Sequence, residues 1–348
     1  MSAYFPILIA GAVTGLLAVL LTVNGNPANM GFCIACFIRD IAGGLGLHRA
    51  PVVQYIRPEI PGLVLGAFLM SLFRREFRAQ SGSAPLTRFL LGVFVMIGSL
   101  VFLGCPLRMV LRLAGGDLNA LVGLAGFACG VGVGAVFLNK GFSLRRAYSQ
   151  PRSEGYIPAA VALGLLALLV SAPAFIFFSE SGPGSLHAPI ILALAAGLAV
   201  GMLAQYSRLC MMGGIRDLFL FRDPCLISGF CLIFLAALIG NAVNGSLHFS
   251  FADQPVAHTE SLWNFLGMLL VGLGSVFLGG CPLRQLILAG SGSGDAGLAV
   301  LGLAAGAAFC HNFGLASSAS GTTPAGRAAV ILGLAFCLVV GLLNLRKK

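Results

Sequence analysis

Four short loops combine a cysteine with a nearby arginine, and each of two loop types occurs twice. GCPLR is found at 104–108 and again at 280–284, and a CxxxxxRD pattern is found at 33–40 and at 210–217. A thiol can donate a weak hydrogen bond to a polarizable atom or attack a sulfane sulfur, and a guanidinium offsets negative charge. These residue types together favour the binding of a small anion.

The GCPLR loops have the pattern of a helix start. Cys105 and Cys281 are expected at the cap, because the proline that follows suits the first helical turn, where its missing N–H is not needed. Free N–H groups and the positive end of the helix dipole favour an anion there, and Arg108 or Arg284 adds a full charge. The alternative is that the cysteines are small packing residues and the arginines extend towards the membrane surface.

The CxxxxxRD loops end in adjacent opposite charges, Arg39 with Asp40 and Arg216 with Asp217. Local pairing that locks each loop is the favoured interpretation of Asp40 and Asp217. Substrate binding or proton transfer by these residues is the alternative.

The two copies of this loop differ at two places. Cys33 and Cys36 form a CxxC, which suits a redox pair or half of a metal site, but Gly213 replaces the second cysteine in the other copy. No second CxxC or nearby histidine completes a zinc shell, so no metal or cofactor is predicted. Arg208 has Gly31 as its counterpart, which suggests a specialisation of the second copy.

The repetition extends over the chain. The two GCPLR cysteines are 176 residues apart and the first cysteines of the CxxxxxRD loops are 177 apart, close to half of the 348 residues. We therefore predict one duplicated unit, with residues 1–180 as the first repeat and 181–348 as the second, in one integrated membrane domain.

Composition predicts that lipid is the main solvent. Apolar residues make up 58% of the chain, charged residues 9%, and the mean hydropathy is +0.97. A membrane-crossing helix needs roughly 20 apolar residues, and ten runs qualify or come close: 5–23, 60–73, 86–103, 118–138, 157–178, 188–204, 224–243, 262–279, 296–315 and 327–345. The run at 60–73 is short enough to dip rather than cross. The formal charge of +10 is spread over short loops, which argues against nucleic-acid binding.

Five crossings per repeat would place the second copy upside down relative to the first, the inverted plan of many secondary transporters. With the N-terminus inside, the basic residues fall on the cytoplasmic face, as the positive-inside rule requires: Arg74, Arg75, Arg78, Arg88, Lys140, Arg145, Arg146, Arg152, Arg346, Lys347 and Lys348. The loops at 179–187, 244–261 and 316–326 then lie outside. The predicted fold class is an all-α polytopic membrane protein, an inverted internal repeat with about 9–10 transmembrane helices and short re-entrant helices.

Other small residues are assigned structural roles. Glycines four residues apart favour close helix packing in lipid, and they occur at 62 and 66, 126 and 130, and 197 and 201. The remaining cysteines are predicted to be buried, inert thiols: Cys129, Cys225, Cys231, Cys310 and Cys337.

The two GCPLR loops and the two CxxxxxRD loops, one of each per half, resemble the YeeE/YedE family. The resemblance implies an hourglass-like membrane protein with inverted halves, short non-crossing helices and thiosulfate uptake in the characterised branch. It also implies that Cys33, Cys105 and Cys281, with Cys210 next, contact the anion along a central path. MGFCIACFIRD at 30–40 is most similar to the YedE subgroup linked to selenium metabolism, so selenium transport is a second expectation.

Two mechanisms remain open for such a path in a bacterial inner membrane. Neutral thiols could pass the anion by weak S–H donation, or a thiolate could attack it and form a transient persulfide or selenylsulfide. A rival function is a membrane-embedded thiol relay or redox enzyme that delivers sulfur or selenium to a cytoplasmic carrier protein, and a purely structural subunit is a third. No Walker loop or nucleophile elbow is found, and transport without catalysis is the favoured prediction.

Overall fold

The protein is described by a computed structural model that covers residues 4–345. Over this range the chain forms fourteen α-helices and one two-stranded ribbon of β1 (Gln80–Ser81) and β2 (Tyr148–Ser149). The first seven helices are α1 (Tyr4–Val23), α2 (Ile34–Gly44), α3 (Glu59–Phe73), α4 (Pro85–Phe102), α5 (Pro106–Ala114), α6 (Asn119–Asn139) and α7 (Arg152–Ser171). The second seven are α8 (Ile190–Ser207), α9 (Met211–Phe221), α10 (Cys225–Val243), α11 (Ser261–Leu278), α12 (Pro282–Gly290), α13 (Gly294–Asn312) and α14 (Pro324–Leu343).

Nine helices between residues 4 and 345 are long and apolar enough to cross a membrane: α1, α4, α6, α7, α8, α10, α11, α13 and α14. This confirms an all-α polytopic membrane protein. Helix α3, with 15 residues, is about 22 Å long at 1.5 Å per residue. It nevertheless connects the two ends of the bundle, because Glu59 at its start contacts Asn26, and Glu76 just beyond its end pairs with Arg208.

The predicted run at 157–178 is wrong at both ends. Helix α7 begins at Arg152 and ends at Ser171. Ala172 takes a left-handed conformation with φ of 40°, and Pro173 follows it. A residue before proline is disfavoured in the helical region, so the apolar residues up to 178 do not continue the helix.

The long helices pack in pairs that join the two halves of the chain. Helix α3 packs on α8, α1 on α10, α6 on α11, and α4 on α13. Glycines line these contacts, as the spacing predicts. A Cβ on Gly62 would lie 2.8 Å from the Leu194 carbonyl oxygen, one on Gly197 would lie 2.5 Å from that of Glu59, and one on Gly130 would lie 2.9 Å from the Leu273 nitrogen. Only glycine permits such close approach.

Helices α4 and α11, which hold the same position in the two predicted repeats, run in opposite directions. His258, just before α11, has its Nε2 2.7 Å from the Val101 carbonyl near the end of α4. Arg88, near the start of α4, donates to the Leu278 carbonyl at the end of α11 at 3.2 Å. Helices α4 and α11 are therefore antiparallel. An inverted repeat requires this arrangement, although the inversion and the repeat boundaries stay predictions.

The loops meet in two groups, one at each end of the bundle. At one end Gln150 donates to Ala79, and Arg78 donates to Ser291, both through backbone bonds. This end carries the loops predicted to be cytoplasmic. At the other end the Ala188 N–H donates to Asn26 Oδ1, and the His248 N–H donates to the Gly115 carbonyl. Residues 346–348, three of the predicted cytoplasmic cations, lie outside the described range.

Candidate functional site

Each of the four short helices begins directly after a cysteine. Cys33 precedes α2, Cys105 precedes α5, Cys210 precedes α9 and Cys281 precedes α12, and all four take the extended backbone typical of an N-cap. Pro106 and Pro282 stand in the first turns of α5 and α12. The helix start that the sequence predicts for both GCPLR loops is confirmed.

The first two cap cysteines meet at the start of α2. The Ile34 N–H donates to Cys105 Sγ at 3.3 Å, and the Cys36 N–H donates to Cys33 Sγ at 3.3 Å. Cys33, Cys36 and Cys105 are buried. Two N–H groups that a helix start leaves without a backbone partner are thus satisfied by sulfur. Sulfur is a weak acceptor, so a stronger anionic acceptor could displace it.

The other two cap cysteines meet at the start of α9. The Gly213 N–H donates to Cys210 Sγ at 3.3 Å, and the sulfurs of Cys210 and Cys281 are 3.8 Å apart. Both side chains are buried. Within residues 4–345, no disulfide joins any of the ten cysteines, and no three His, Cys, Asp or Glu side chains converge as metal ligands.

The two thiol pairs belong to one core. Helix α2 packs on α12, and α5 packs on α9, so each short helix of one half contacts one of the other half. Met109, Met211 and Met212 are buried in the same apolar cluster as the four cap cysteines. Thioethers are soft and polarizable, so the neighbourhood of the thiols suits a soft sulfur or selenium atom.

The donor groups of Arg108 are engaged by the protein, and its role in offsetting the anion's charge stays a prediction. Its Nε donates to the Asn29 carbonyl at 3.3 Å, and its Nη2 donates to the carbonyls of Pro255 and Val256 at 3.3 Å each. Its Nη1 donates to the Leu103 carbonyl and lies 3.9 Å from Cys36 Sγ. The guanidinium therefore ties the first cysteine loop to the loop before α11.

Arg284 has the opposite environment at the equivalent position. The residue is 9% exposed, and its Nη1 is buried without a hydrogen-bond partner. The ionisable groups whose charges act on it are Cys210, Cys281, Arg208 and Glu76. A buried guanidinium nitrogen without a partner is costly. Arg284 Nη1 is therefore a donor beside the second thiol pair that lacks an acceptor.

Gln285 adds a second unsatisfied group to this region. Its Nε2 donates to the Leu278 and Gly280 carbonyls at 3.1 and 3.2 Å, whereas its Oε1 is buried without a partner. Met109 stands at the equivalent position in the first half. The second loop is therefore the more polar of the two, a difference that the shared GCPLR letters do not reveal.

The glycine of GCPLR makes room for the arginine side chain. It does not itself take the left-handed conformation, which is found at the residue before it, Leu103 with φ of 63° or Gly279 with φ of 81°. A Cβ on Gly104 would lie 3.1 Å from Arg108 Cδ, and one on Gly280 would lie 2.9 Å from the Cγ of Arg284. The glycine is needed so that the arginine can fold back over the turn.

The adjacent charges of the CxxxxxRD loops contact each other in both halves. Arg39 Nη2 lies 2.7 Å from Asp40 Oδ1, and Arg216 Nη2 lies 2.7 Å from Asp217 Oδ1. The first pair is buried, and Arg57 forms a second ion pair with Asp40, because its Nε lies 2.8 Å from Asp40 Oδ2. The second pair is partly exposed.

Sequence reasoning missed Arg57 and the buried ion pair of Arg112 with Asp117, whose Nε and Oδ2 are 2.6 Å apart. The one signal for both was that a charged residue is rare in so apolar a chain. Arg208 pairs with Glu76 at 2.9 Å and is about half exposed, and its role beside the substrate stays a prediction.

The five cysteines predicted to be buried and inert divide into two groups. Cys310 and Cys337 are buried, and Cys225 is half-buried. Cys129 and Cys231 are exposed, so the prediction of burial is wrong for these two. They lie on α6 and α10, helices with an outer face that is not covered by protein, where an apolar thiol is compatible with lipid.

Comparison with known proteins bears on the second half of the chain. Residues 206–345 match the family model described as Sulphur transport. The matched region runs from the end of α8 to just beyond α14, and it includes Cys210, Cys281 and Arg284. No curated protein matches the chain. The match supports the YeeE/YedE resemblance and favours transport of a sulfur compound across a membrane over catalysis.

Proposed function

We propose that this protein carries a small sulfur- or selenium-containing anion, such as thiosulfate, across the bacterial inner membrane into the cell. The path would pass the pair of Cys33 and Cys105 and then the pair of Cys210 and Cys281. The observation that carries the proposal is the pairwise meeting of four helix starts, each capped by a buried cysteine. The match of residues 206–345 to the family model described as Sulphur transport supports this proposal.

We assign the charge-binding step to Arg284. Its unpaired Nη1 and the N-terminus of α12 are the groups that offset negative charge beside the second thiol pair. Arg108 takes no part in charge binding in this proposal, because its donors go to carbonyl groups. Arg39 and Arg216 hold their loops through Asp40 and Asp217.

In the non-covalent form of the mechanism, the thiols stay protonated. Each S–H donates weakly to the anion, and backbone N–H groups now directed at sulfur, such as those of Ile34 and Gly213, turn to the stronger acceptor. Weak contacts at successive positions allow the anion to leave each site as readily as it enters.

A covalent form is favoured by one distance, the 3.8 Å between the sulfurs of Cys210 and Cys281. Attack of one thiolate on the sulfane sulfur of thiosulfate would form a Cys–S–S⁻ persulfide, break the S–S bond of thiosulfate and release sulfite. This step is the basis of the rival function, a relay that hands sulfur or selenium to a cytoplasmic carrier.

The inverted repeat belongs to the same proposal. Residues 1–180 and 181–348 would form halves of opposite orientation, with the first thiol pair opening outward and the second inward. Antiparallel packing of α4 and α11 supports this. The similarity of residues 30–40 to the selenium-linked YedE subgroup supports a selenium compound as the second candidate substrate, and Cys36, whose counterpart is Gly213, is the extra thiol of that segment.

Proteoliposome uptake tests the function. Radiolabelled thiosulfate, selenite and sulfate would be compared in parallel, and we expect accumulation of thiosulfate or selenite but not of sulfate, whose sulfur is enclosed by four oxygens and offers no soft atom to a thiol. Turnover of the compound without accumulation inside the vesicles would favour the relay instead. Mass spectrometry of the protein after exposure to substrate separates the two mechanisms, because only the covalent one leaves an adduct on Cys210 or Cys281.

A further inference from the structure

Glu59 is a buried acid that the proposed path does not use. It is the first residue of α3 and is 1% exposed. The chain has only 11 acidic residues among 348. An ionisable residue inside a membrane protein is costly and usually has a function.

The carboxyl group of Glu59 is only half satisfied. Asn26 Nδ2 donates to its Oε1 at 2.8 Å, whereas its Oε2 is buried and has no hydrogen-bond partner. A charged carboxylate in such a place costs several kcal/mol unless both oxygens are paired. The proton-bound form costs less, so this position suits a group that gains and loses a proton.

The charged groups around Glu59 are already paired with others. Arg57 gives its three donor groups to Asp40 Oδ2 and to the carbonyls of Leu186 and Pro183, at 2.7–2.8 Å. The second oxygen of Asp40 accepts from Arg39.

Tyr55 and the helices α8 and α1 bring no charge that could pair with Glu59. Tyr55 also acts electrostatically on this region and stacks on His187, with ring centroids 4.2 Å apart. Helix α8, which packs on α3 and whose Gly197 contacts the Glu59 backbone, contains no charged residue, and neither does α1.

One side chain connects Glu59 to the first cysteine pair. Asn26 also donates to the Gly31 carbonyl at 3.2 Å, two residues before Cys33, and its Oδ1 accepts the Ala188 N–H at 2.8 Å. A charged Glu59 would hold the Asn26 amide more strongly than a neutral one, because hydrogen bonds to ionised acceptors are about twice as strong. Protonation is thereby transmitted to the loop that positions Cys33.

We propose that Glu59 is a proton-binding site that couples inward movement of a proton to inward movement of the anion. This inference rests on the proposed transport function. The proton is taken up at the end of the bundle where Asn26 and Ala188 meet, which is the end of the first cysteine pair. Because an anion entering a negatively charged cell is opposed by the membrane potential, each proton carried with it would cancel one unit of negative charge and add the pH gradient to the driving force.

The test uses proteoliposomes with radiolabelled thiosulfate and three proteins: wild type, Glu59→Gln, and Glu154→Gln as a control at the exposed start of α7. Glutamine keeps an acceptor for Asn26, so the variant should fold. With one proton per anion and the membrane potential clamped at zero, a gradient of one pH unit, acidic outside, should raise accumulation about tenfold in wild type and in the control. Glu59→Gln should keep thiosulfate exchange at equal pH and lose the response to the gradient.

The coupling would be overturned, with transport intact, if thiosulfate accumulation by wild type did not depend on the pH gradient. It would also be overturned if Glu59→Gln responded to the gradient as wild type does. Absence of thiosulfate exchange by wild type would instead overturn the proposed function. Infrared difference spectroscopy gives a readout without transport: the carbonyl band of a buried protonated acid should vanish in Glu59→Gln and persist in Glu154→Gln. A band that persists in Glu59→Gln would overturn the assignment by itself.

Discussion

The sulfurs of Cys210 and Cys281 lie 3.8 Å apart, although the two residues are 71 positions apart in the chain. Each sulfur belongs to the cap of a different short helix, α9 or α12. Because both helices begin at this contact, two helix N-termini and two thiols converge on one buried point. In the first half, the start of α2 brings Cys33 and Cys105 together in a comparable way.

Serine at a cap position should slow transport. In Cys281→Ser, the hydroxyl can still cap α12, but oxygen is less polarizable than sulfur and interacts less well with a soft sulfane atom. We expect the initial rate of thiosulfate uptake to fall about tenfold, equivalent to about 1.4 kcal/mol. Cys231→Ser, at an exposed position on α10, is the control and should transport normally. A normal rate in Cys281→Ser would contradict a role for this thiol.

Substitution of the two GCPLR arginines should separate binding from folding. Arg284→Gln removes an unpaired buried cation, so thermal stability should be kept or raised while thiosulfate affinity falls at least tenfold. Arg108→Gln leaves the carbonyls of Asn29, Pro255 and Val256 without their donor and should lower the free energy of unfolding by about 2–4 kcal/mol.

Unfolding temperature in detergent and equilibrium binding of radiolabelled thiosulfate would measure the two effects. Arg284→Lys keeps the charge and should recover part of the affinity. Equal loss of stability in Arg284→Gln and Arg108→Gln would show that the two arginines have the same structural role.

Enlarging a glycine between the halves should destabilise the bundle. A Cβ on Gly197 would lie 2.5 Å from the Glu59 carbonyl oxygen, so Gly197→Ala should cost about 1–3 kcal/mol as α3 and α8 are forced apart. Gly164 on α7 is exposed, and a Cβ there meets no atom within 4 Å. Gly164→Ala is therefore the matched control, and an equal fall of the unfolding temperature in both variants would refute the packing argument.

His258 should make stability depend on pH. Burial lowers the pKa of this histidine below 6.5, against the opposing effect of its hydrogen bond with the Val101 carbonyl, and Arg112 lowers it further while Glu260 and Asp117 raise it. The unfolded chain therefore binds more protons in the window just below pH 6.5. The contribution is fully present above pH 6.5 and is lost as pH falls towards the folded-state pKa, by at most about 1.4 kcal/mol per pH unit.

Thermal unfolding between pH 5 and 8 would measure this slope. His258→Gln should flatten it, and His248→Gln, at an exposed position in the same loop, should leave it unchanged. A slope that is the same in all three proteins would contradict the assignment.

The residues that repeat along the chain were predictable, and their partners were not. Duplicated cysteines and prolines indicate a local structure, the start of a short helix, and local rules suffice for it. Arg108 and Arg284 have identical local sequences, yet Arg108 is paired because the carbonyls of Pro255 and Val256 reach it from 147 and 148 positions away. A contact between residues so far apart in the chain cannot be predicted from the local motif.

Glu59 and Arg57 show a second limit. Neither belongs to a repeated motif, and both lie near the start of a helix that looked too short to cross. Their importance comes from burial and from the side chains of Asn26 and Asp40, which the fold alone brings near them. In the same way, the end of α7 depends on a backbone conformation at Ala172 rather than on hydropathy.

Helices of the first half pack on helices of the second, α3 on α8 and α1 on α10. This packing has consequences for the origin of the chain and for where it can be cut. Either half by itself would expose glycine-lined surfaces shaped for the other half. The duplication predicted from the sequence would therefore require that an ancestral single-copy gene product assembled as a two-chain complex. Severing the present chain in the connection between α7 and α8 should yield two fragments that are unstable when expressed singly but reassemble when co-expressed.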